Sequence, residues 1–170
     1  TISGNYGHGG GGIWNQSVVS IINSTISDNG ANSLGGGLVN AGDADACVKT
    51  ATVINSTIYG NNASFVGGIY NDDQRTLTIV NSIVAGNTNS SPSGGPDCYG
   101  PLISGDYNLI QNTNGCTLTG TTTHSIIGAN PNLGPLRANG GPTFTRALLP
   151  ASPAINAGND LSAPTTDQRG

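Results

Sequence analysis

Three stretches of this 170-residue chain repeat nearly one phrase: TISGNYGHGGGGIWN from Thr1, NSTISDNGANSLGGGLVN from Asn23 and NSTIYGNNASFVGGIYN from Asn55. Nothing else constrains the fold as much, because a short repeat unit that cannot bury its own apolar side has to stack on copies of itself. Aligned on their asparagines, the copies share three short runs, which in the first copy are TISGN, GGIWN and VSIIN. The separations are 24 positions from Thr1 to Thr25, 32 from Thr25 to Thr57 and 26 from Asn55 to Asn81. A constant frame with variable length places insertions at one corner.

Runs this short, rich in β-branched residues and bounded by Gly and Asn, favour strands over helices. At a period of two, the third run turns Val19 and Ile21, Ala51 and Val53, then Leu77 and Ile79 inward, with Ser20, Thr52 and Thr78 outside. The second run turns Ile13, Leu38 and Ile69 inward, and the first Ile2, Ile26, Ile58 and Val84. If each strand pairs with its equivalent in the next coil, about 4.8 Å away, the chain is all-β. The expected architecture over residues 1–91 is a right-handed parallel β-helix, a solenoid with three short strands per coil. The asparagines then stand in ladders: Asn5, Asn29, Asn61 and Asn87; Asn15, Asn40 and Asn71; and Asn23, Asn55 and Asn81. Asparagine tolerates the left-handed conformation at corners, and stacked amides bond along a column. The Gly-Gly steps before Ile13, Leu38 and Ile69 allow another tight corner. Asn23, Asn55 and Asn62 also open glycosylation sequons, but column membership accounts for the first two without glycans and leaves Asn62 as the better glycan candidate.

Only 8% of residues are charged; Lys49 is the one lysine, there is no glutamate or methionine, and glycine reaches 27 residues. Disorder is disfavoured by the even spacing of Val, Ile and Leu. A net charge of -4 and a pI near 4.6 supply no basic stripe for phosphates, so no nucleic acid or anionic membrane is expected as partner. No apolar run approaches the roughly 18 residues of a membrane span, and no signal segment opens the chain, so no transmembrane segment is expected. Starting at Thr1 inside a repeat, the chain reads as a processed or excised piece of something longer.

From about Pro92 the rhythm changes to GGPDCYGPLISGDYNLIQNTNGCTLTG, then NPNLGPLRANGGPTFTRALLPASPAINAGND and TDQRG. With the upstream NSTIS and GGGI phrases, the elements PDC, YNLI, GC, GPL, NGGPT, ALLP, SPAI and TDQRG resemble a bacterial family of secreted β-helix proteins that carry a choice-of-anchor tail. The resemblance spans nearly the whole chain. It implies a β-helix fold, export with surface attachment or release, and no catalytic activity; the tail often has Asp where Asn156 stands. Residues 92–170 are then expected to be the final coils and a Pro/Gly-rich tail packed on the same solenoid as one domain. Export implies a disulfide between Cys98 and Cys116, closing a loop of about 19 residues and contributing roughly 3 kcal/mol. Cys47 is left over, as a buried free thiol or an intermolecular bridge. No cofactor and no metal are expected, since His8 and His124 fall at places unrelated to the cysteines.

A β-helix is a frequent scaffold for polysaccharide lyases and hydrolases, and the adjacent carboxylates Asp72 and Asp73 with Arg75 suggest an acid, a base and an anion clamp. They stand at the corner after Asn71, where Asp is an ordinary turn residue. Asp43 and Asp45 lie two apart without the rest of a calcium loop. GHGGGGIW lacks the Lys-Ser/Thr of a phosphate loop. The outward rows Trp14, Val39, Tyr70 and Ile22, Ile54, Val80 form contiguous patches, to be covered by the tail, a neighbouring subunit or a sugar. Outward Thr50 with Thr52 and Thr76 with Thr78 suggest carbohydrate or ice, but a regular array needs more than two coils and the first coil has Val18 and Ser20. The leading expectation is a non-enzymatic structural protein, extracellular or on the cell surface, that assembles head to tail with itself into a filament. A carbohydrate-binding adhesin module for surface polysaccharide is the alternative, with a polysaccharide-active enzyme behind it.

Overall fold

The computed structural model describes residues 1–42, 49–160 and 163–170. Asp43, Asp45 and Cys47 lie outside the described residues. Among those described the chain is all-β, with no helix. The first passage of the repeat gives β1 (Ile2–Ser3), β2 (Tyr6–Gly7), β3 (Ile13–Asn15) and β4 (Val18–Ile22). The second gives β5 (Thr25–Ser27), β6 (Gly30–Ala31), β7 (Leu38–Asn40) and β8 (Thr50–Ile54), and the third β9 (Thr57–Tyr59), β10 (Asn62–Ala63), β11 (Ile69–Asn71) and β12 (Thr76–Val80). Then come β13 (Ile83–Ala85), β14 (Thr88–Asn89), the long β15 (Cys98–Gly105), β16 (Leu109–Ile110), β17 (Cys116–Thr121) and β18 (Ile126–Ile127). The antiparallel pair β19 (Leu133–Arg137) and β20 (Thr145–Leu148) follows.

Equivalent strands of successive circuits pair in parallel, in the orders β1-β5-β9-β13-β16-β18, β2-β6-β10-β14 and β3-β7-β11-β15, with β4-β8-β12-β15-β17 as a further face. Each of the first three circuits therefore has four paired segments. The two-residue strands β2, β6 and β10 arise because the stretch after each Asn of the first ladder runs extended beside its copy, where the sequence suggests only a corner. β15 belongs to two faces at once: Cys98 pairs with Ile69 at one end and Ile103 with Thr78 at the other.

The core lies between the faces and is built from equivalent positions. Ile26, Ile58, Val84 and Ile110 stack from one sheet, Leu38, Ile69 and Cys98 from another, and Val53, Leu77, Ile79 and Leu102 from the third, all fully buried. Burying each such side chain contributes about 1.5–3 kcal/mol. Ile2, Ile13 and Val19 of the first circuit are only partly buried against this cluster.

Cys98 and Cys116 form a disulfide with Cα atoms 5.4 Å apart, joining the start of β15 to the start of β17. It closes a separation of 18 residues. The Cys98→Ser, Cys116→Ser double variant is expected to lose about 3 kcal/mol, read as a lower urea midpoint relative to the oxidised protein.

The tail folds back over the outer side of the β1-β5-β9-β13 sheet. Arg146 from β20 donates through Nε to Ser27 Oγ at 2.7 Å and through one terminal nitrogen to both carboxylate oxygens of Asp28, at 2.7 and 2.8 Å. Its guanidinium sits 4.6 Å from the Tyr59 ring centroid, so charge, fork geometry and cation–π contact act together. Thr25 Oγ1 donates to Gln168 Oε1 at 2.7 Å, and Gln168 donates to the hydroxyls of Thr1 and Thr143. The TDQRG segment is thus tied to the first two circuits.

Candidate functional site

The most developed polar construction is the column through Asn5, Asn29, Asn61 and Asn87. Asn5 donates its backbone N–H and its side-chain amide to Asn29 Oδ1, both at 3.0 Å. Asn29 does the same to Asn61, at 3.0 and 2.9 Å, and Asn61 to Asn87, at 2.9 and 2.9 Å. Each amide also reaches a backbone carbonyl; that of Asn61 bonds Ile26 O at 3.0 Å. The side-chain oxygens of Asn29, Asn61 and Asn87 therefore each take two donors from the circuit before, and the column has a direction. Asn15, Asn40 and Asn71 run the same way, amide to carbonyl at 2.7 Å per step, and end on Pro101 O.

Asn23, Asn55 and Asn81 behave differently. All three have left-handed backbones, with φ of 46°, 49° and 51°, the corner role open to asparagine. Asn81 bonds Asn55, whereas Asn23 donates to Thr166 O of the tail at 2.6 Å. The next residue carries a ladder that sequence reasoning missed: the N–H of Ser24 bonds Ser56 Oγ, that of Ser56 bonds Ser82 Oγ, and that of Ser82 bonds Asn108 Oδ1. The recurrent Asn-Ser pair was its signal.

The first column ends on a different side chain. Asn87 gives its N–H and amide to Asp97 Oδ1, at 3.1 and 2.8 Å. The reason lies in the Gly-Gly steps. A Cβ on Gly12, Gly37 or Gly68 would press on the amide nitrogen of the next circuit's ladder asparagine, at 3.2, 3.2 and 2.9 Å. Asp97 stands where Gly68 stood one circuit earlier, one residue before the strand position of Cys98. Its own carboxylate fills the space that a further asparagine would occupy and accepts the bonds that asparagine would accept. Burial pushes the Asp97 carboxyl up to about 6, against the lowering effect of hydrogen bonds from the side chain and backbone of Asn87 and the backbone of Asn112.

Because that value lies above the 3.8 of an ordinary aspartate, the protonated form favours the folded state. The contribution is fully present below about pH 4 and is lost as pH rises through about 6; it amounts to about 3 kcal/mol at most. Asp97→Asn is expected to remove this part of the pH dependence, so that urea midpoints measured from pH 4 to 7 flatten relative to wild type.

The outward rows are unequal. Trp14, Val39, Tyr70 and, one circuit on, Tyr99 share register. Trp14 is 45% exposed and Tyr70 half-buried, but Val39 is fully buried. The equivalent loops of the preceding circuit and its own, carrying Gly10 and Gly35, fold back onto it: a Cβ at those glycines would lie 3.3 and 2.7 Å from Val39 Cγ2. Tyr70 and Tyr99 stack in parallel with centroids 5.7 Å apart, and Phe65 tilts against both. Ile22 is 46% exposed, while Ile54 and Val80 are half-buried.

Asp72 and Asp73 sit in the turn between β11 and β12. The N–H of Arg75 bonds Asp72 O at 2.8 Å and that of Gln74 bonds Asp72 Oδ1 at 3.3 Å, while the Arg75 side chain donates to Gly42 O. These contacts are those of a turn. A second polar group, absent from the sequence expectations, is Asp106 with His124. Nδ1 of His124 lies 2.7 Å from Asp106 Oδ2, its backbone N–H donates to Asp106 Oδ1 at 2.8 Å, and its ring lies flat on Tyr107, 4.6 Å away. Burial raises the Asp106 carboxyl, but bonds from the His124 ring and backbone and the Tyr107 backbone outweigh it and hold it down at about 2. Beside it a crevice of ≈ 130 Å³ runs between Ile83, Leu109 and Ile126 and the tail residues Leu148, Ala154 and Ala157. Among the described residues no cluster of three His, Cys, Asp or Glu is placed to hold a metal ion, and no helix is long and apolar enough to cross a membrane. Compared with protein-family models, curated proteins and solved structures, the chain matches none.

Proposed function

We propose that this chain is a non-enzymatic extracellular structural protein: a right-handed parallel β-helix that accepts further circuits, including those of another copy stacked head to tail. The direction of the asparagine ladders carries the proposal. Both amide columns donate away from the face made by β1 to β4, so that face offers acceptors, Asn5 Oδ1 among them, in the register a preceding circuit would meet. A preceding circuit that presents asparagine amides in this register is held by the same bonds, whereas the last circuit of another copy, whose columns end on Asp97 and Pro101 O, meets this face through its open strand edges. A heterologous contact of that kind does not close on itself and generates a filament. The Cys98–Cys116 disulfide fits an oxidising compartment, and the resemblance to secreted β-helix proteins with a choice-of-anchor tail points to the same place.

Electron microscopy of the concentrated protein tests this. Fibres are expected, with an axial subunit repeat of about 29 Å, six strand spacings of about 4.8 Å. Isolated short rods at every concentration would overturn head-to-tail assembly. The Phe65, Tyr70 and Tyr99 stack, with exposed Trp14 in the same register beyond covered Val39, favours carbohydrate binding as a second function; a surface polysaccharide that quenches Trp14 fluorescence would support it.

A further inference from the structure

We infer that the outer face of β4, β8, β12, β15 and β17 is an ice-binding surface. The sequence shows only two Thr-x-Thr coils, too few for an array. The structure adds β15, which bends from one sheet into the next and presents Pro101 and Ile103, and then a third Thr-x-Thr strand, β17, which pairs with it over six positions, Gly100–Gly105 against Cys116–Thr121. The central row becomes Ser20, Thr52, Thr78, Ile103 and Thr119, in unbroken register through all five strands. Thr50 and Thr76 stand beside it on one side and Ile54 and Val80 on the other, and Thr117 and Thr121 flank Thr119 on the last strand.

Three properties decide what such a face can hold. First, it is uncharged: no Asp, Lys or Arg occupies an outward position of these five strands. An ionic partner finds nothing to pair with. Second, its hydroxyls are unspent except that of Thr119, which donates to Leu102 O at 3.4 Å. Among the described residues the side chains of Thr50, Thr52, Thr76, Thr78, Thr117 and Thr121 make no hydrogen bond within the protein, and each carries a methyl group beside the hydroxyl. Third, the face is periodic and held rigid by the buried rows beneath it, Val53, Ile79, Leu77 and Leu102. Side chains recur about 4.8 Å apart across the strands and about 6.7 Å apart along them. In tetrahedral water with O–H···O distances of about 2.75 Å, oxygens two bonds apart lie about 4.5 Å from each other and stacked layers repeat at about 7.3 Å. On β8, β12 and β17 the hydroxyls therefore approximate the oxygen spacings of an ice lattice with methyls between them, and Pro101 and Ile103 of β15 add flat apolar surface between those strands.

A flexible sugar chain is a poorer match, since aromatic platforms for it lie on another face, at Tyr70 and Tyr99. Among the described residues the tail's hydrogen bonds run to the β1-β5-β9-β13 sheet and to the corner residues Asn23 and Asn81, and none reaches an outward side chain of this face.

The test uses the purified chain with its disulfide intact and ice as the probe. A single ice crystal held just below its melting point in the protein solution is expected to facet and to show thermal hysteresis that grows with concentration. The protein should also enter slowly growing ice instead of being excluded from it. Thr52→Tyr with Thr78→Tyr, which breaks the centre of the array at half-buried surface positions, is expected to lose most of both effects while keeping the wild-type circular dichroism and melting temperature. Thr123→Tyr, on an exposed loop outside the face, is expected to lose neither. Round, unfaceted crystals with exclusion of the wild-type chain would overturn the inference, and so would full activity in the Thr52, Thr78 variant. Self-association or binding to insoluble neutral polysaccharide that this variant abolishes, without any effect of the wild type on ice, would reassign the face and overturn it equally.

Discussion

Asn61→Ala is expected to destabilise the fold by about 3–5 kcal/mol, the sum of two or more buried polar groups left without partners. Asn61 is fully buried at the middle of its ladder. Its Oδ1 is the acceptor for both the backbone N–H and the amide of Asn29, and its own amide bonds Ile26 O and Asn87 Oδ1. Alanine removes all of these and cannot admit bulk water to replace them. Asn29→Ala removes some of the same bonds from the other side. Urea midpoints of the two single variants and the double variant should therefore show strong coupling, the double variant losing less than the sum. Additive losses would mean that the amides act separately and not as a ladder.

Gly67→Ala is expected to cost about 3 kcal/mol or more, at the upper end of what overpacking does. The added Cβ would lie 2.4 Å from Thr88 N, 2.5 Å from Thr88 O and 2.6 Å from Pro96 O, all backbone atoms of the next circuit. Gly67 has no positive φ, so the demand is for closeness between circuits and not for a left-handed turn. Gly4 is the contrast: its φ is +67° and nothing lies within 4 Å of the position a Cβ would take. Gly4→Ala should cost only the local strain of about 1–2 kcal/mol. Reversal of that order in thermal or urea unfolding would contradict the close approach at the Gly-Gly step.

What the sequence made legible was what repeats. Alternation of Ile, Val and Leu between asparagines placed Ile26, Ile58, Leu38 and Ile79 in the buried cluster, because a strand with one buried face allows only one register. The same phrase gave the columns of Asn29, Asn61 and Asn87. Features that occur once were not legible. Asp97 looked like an ordinary residue in GGPDC, yet its meaning depends on Gly68 directly above it and on the absence of a further asparagine below. Pro101 and the change of rhythm concealed that Ile103, Thr117 and Thr119 extend the face begun by Ser20 and Thr52. Val39 fits the outward alternation, but a loop from its own circuit covers it, which periodicity cannot show. The contact of His124 with Asp106 is likewise tertiary, between residues that share no repeat position.

Native-state hydrogen exchange at the backbone N–H groups of Asn29, Asn61 and Asn87 tests most directly whether side-chain ladders hold the circuits together. Each of these protons is bonded to a side-chain oxygen one step along the column, at 3.0, 2.9 and 3.1 Å. They are expected to exchange only through global unfolding, with the full denaturant dependence of that transition, and the Asn29 proton should lose its protection in Asn61→Ala. Exchange of all three at the rates of exposed loop amides, in an otherwise folded protein, would contradict it.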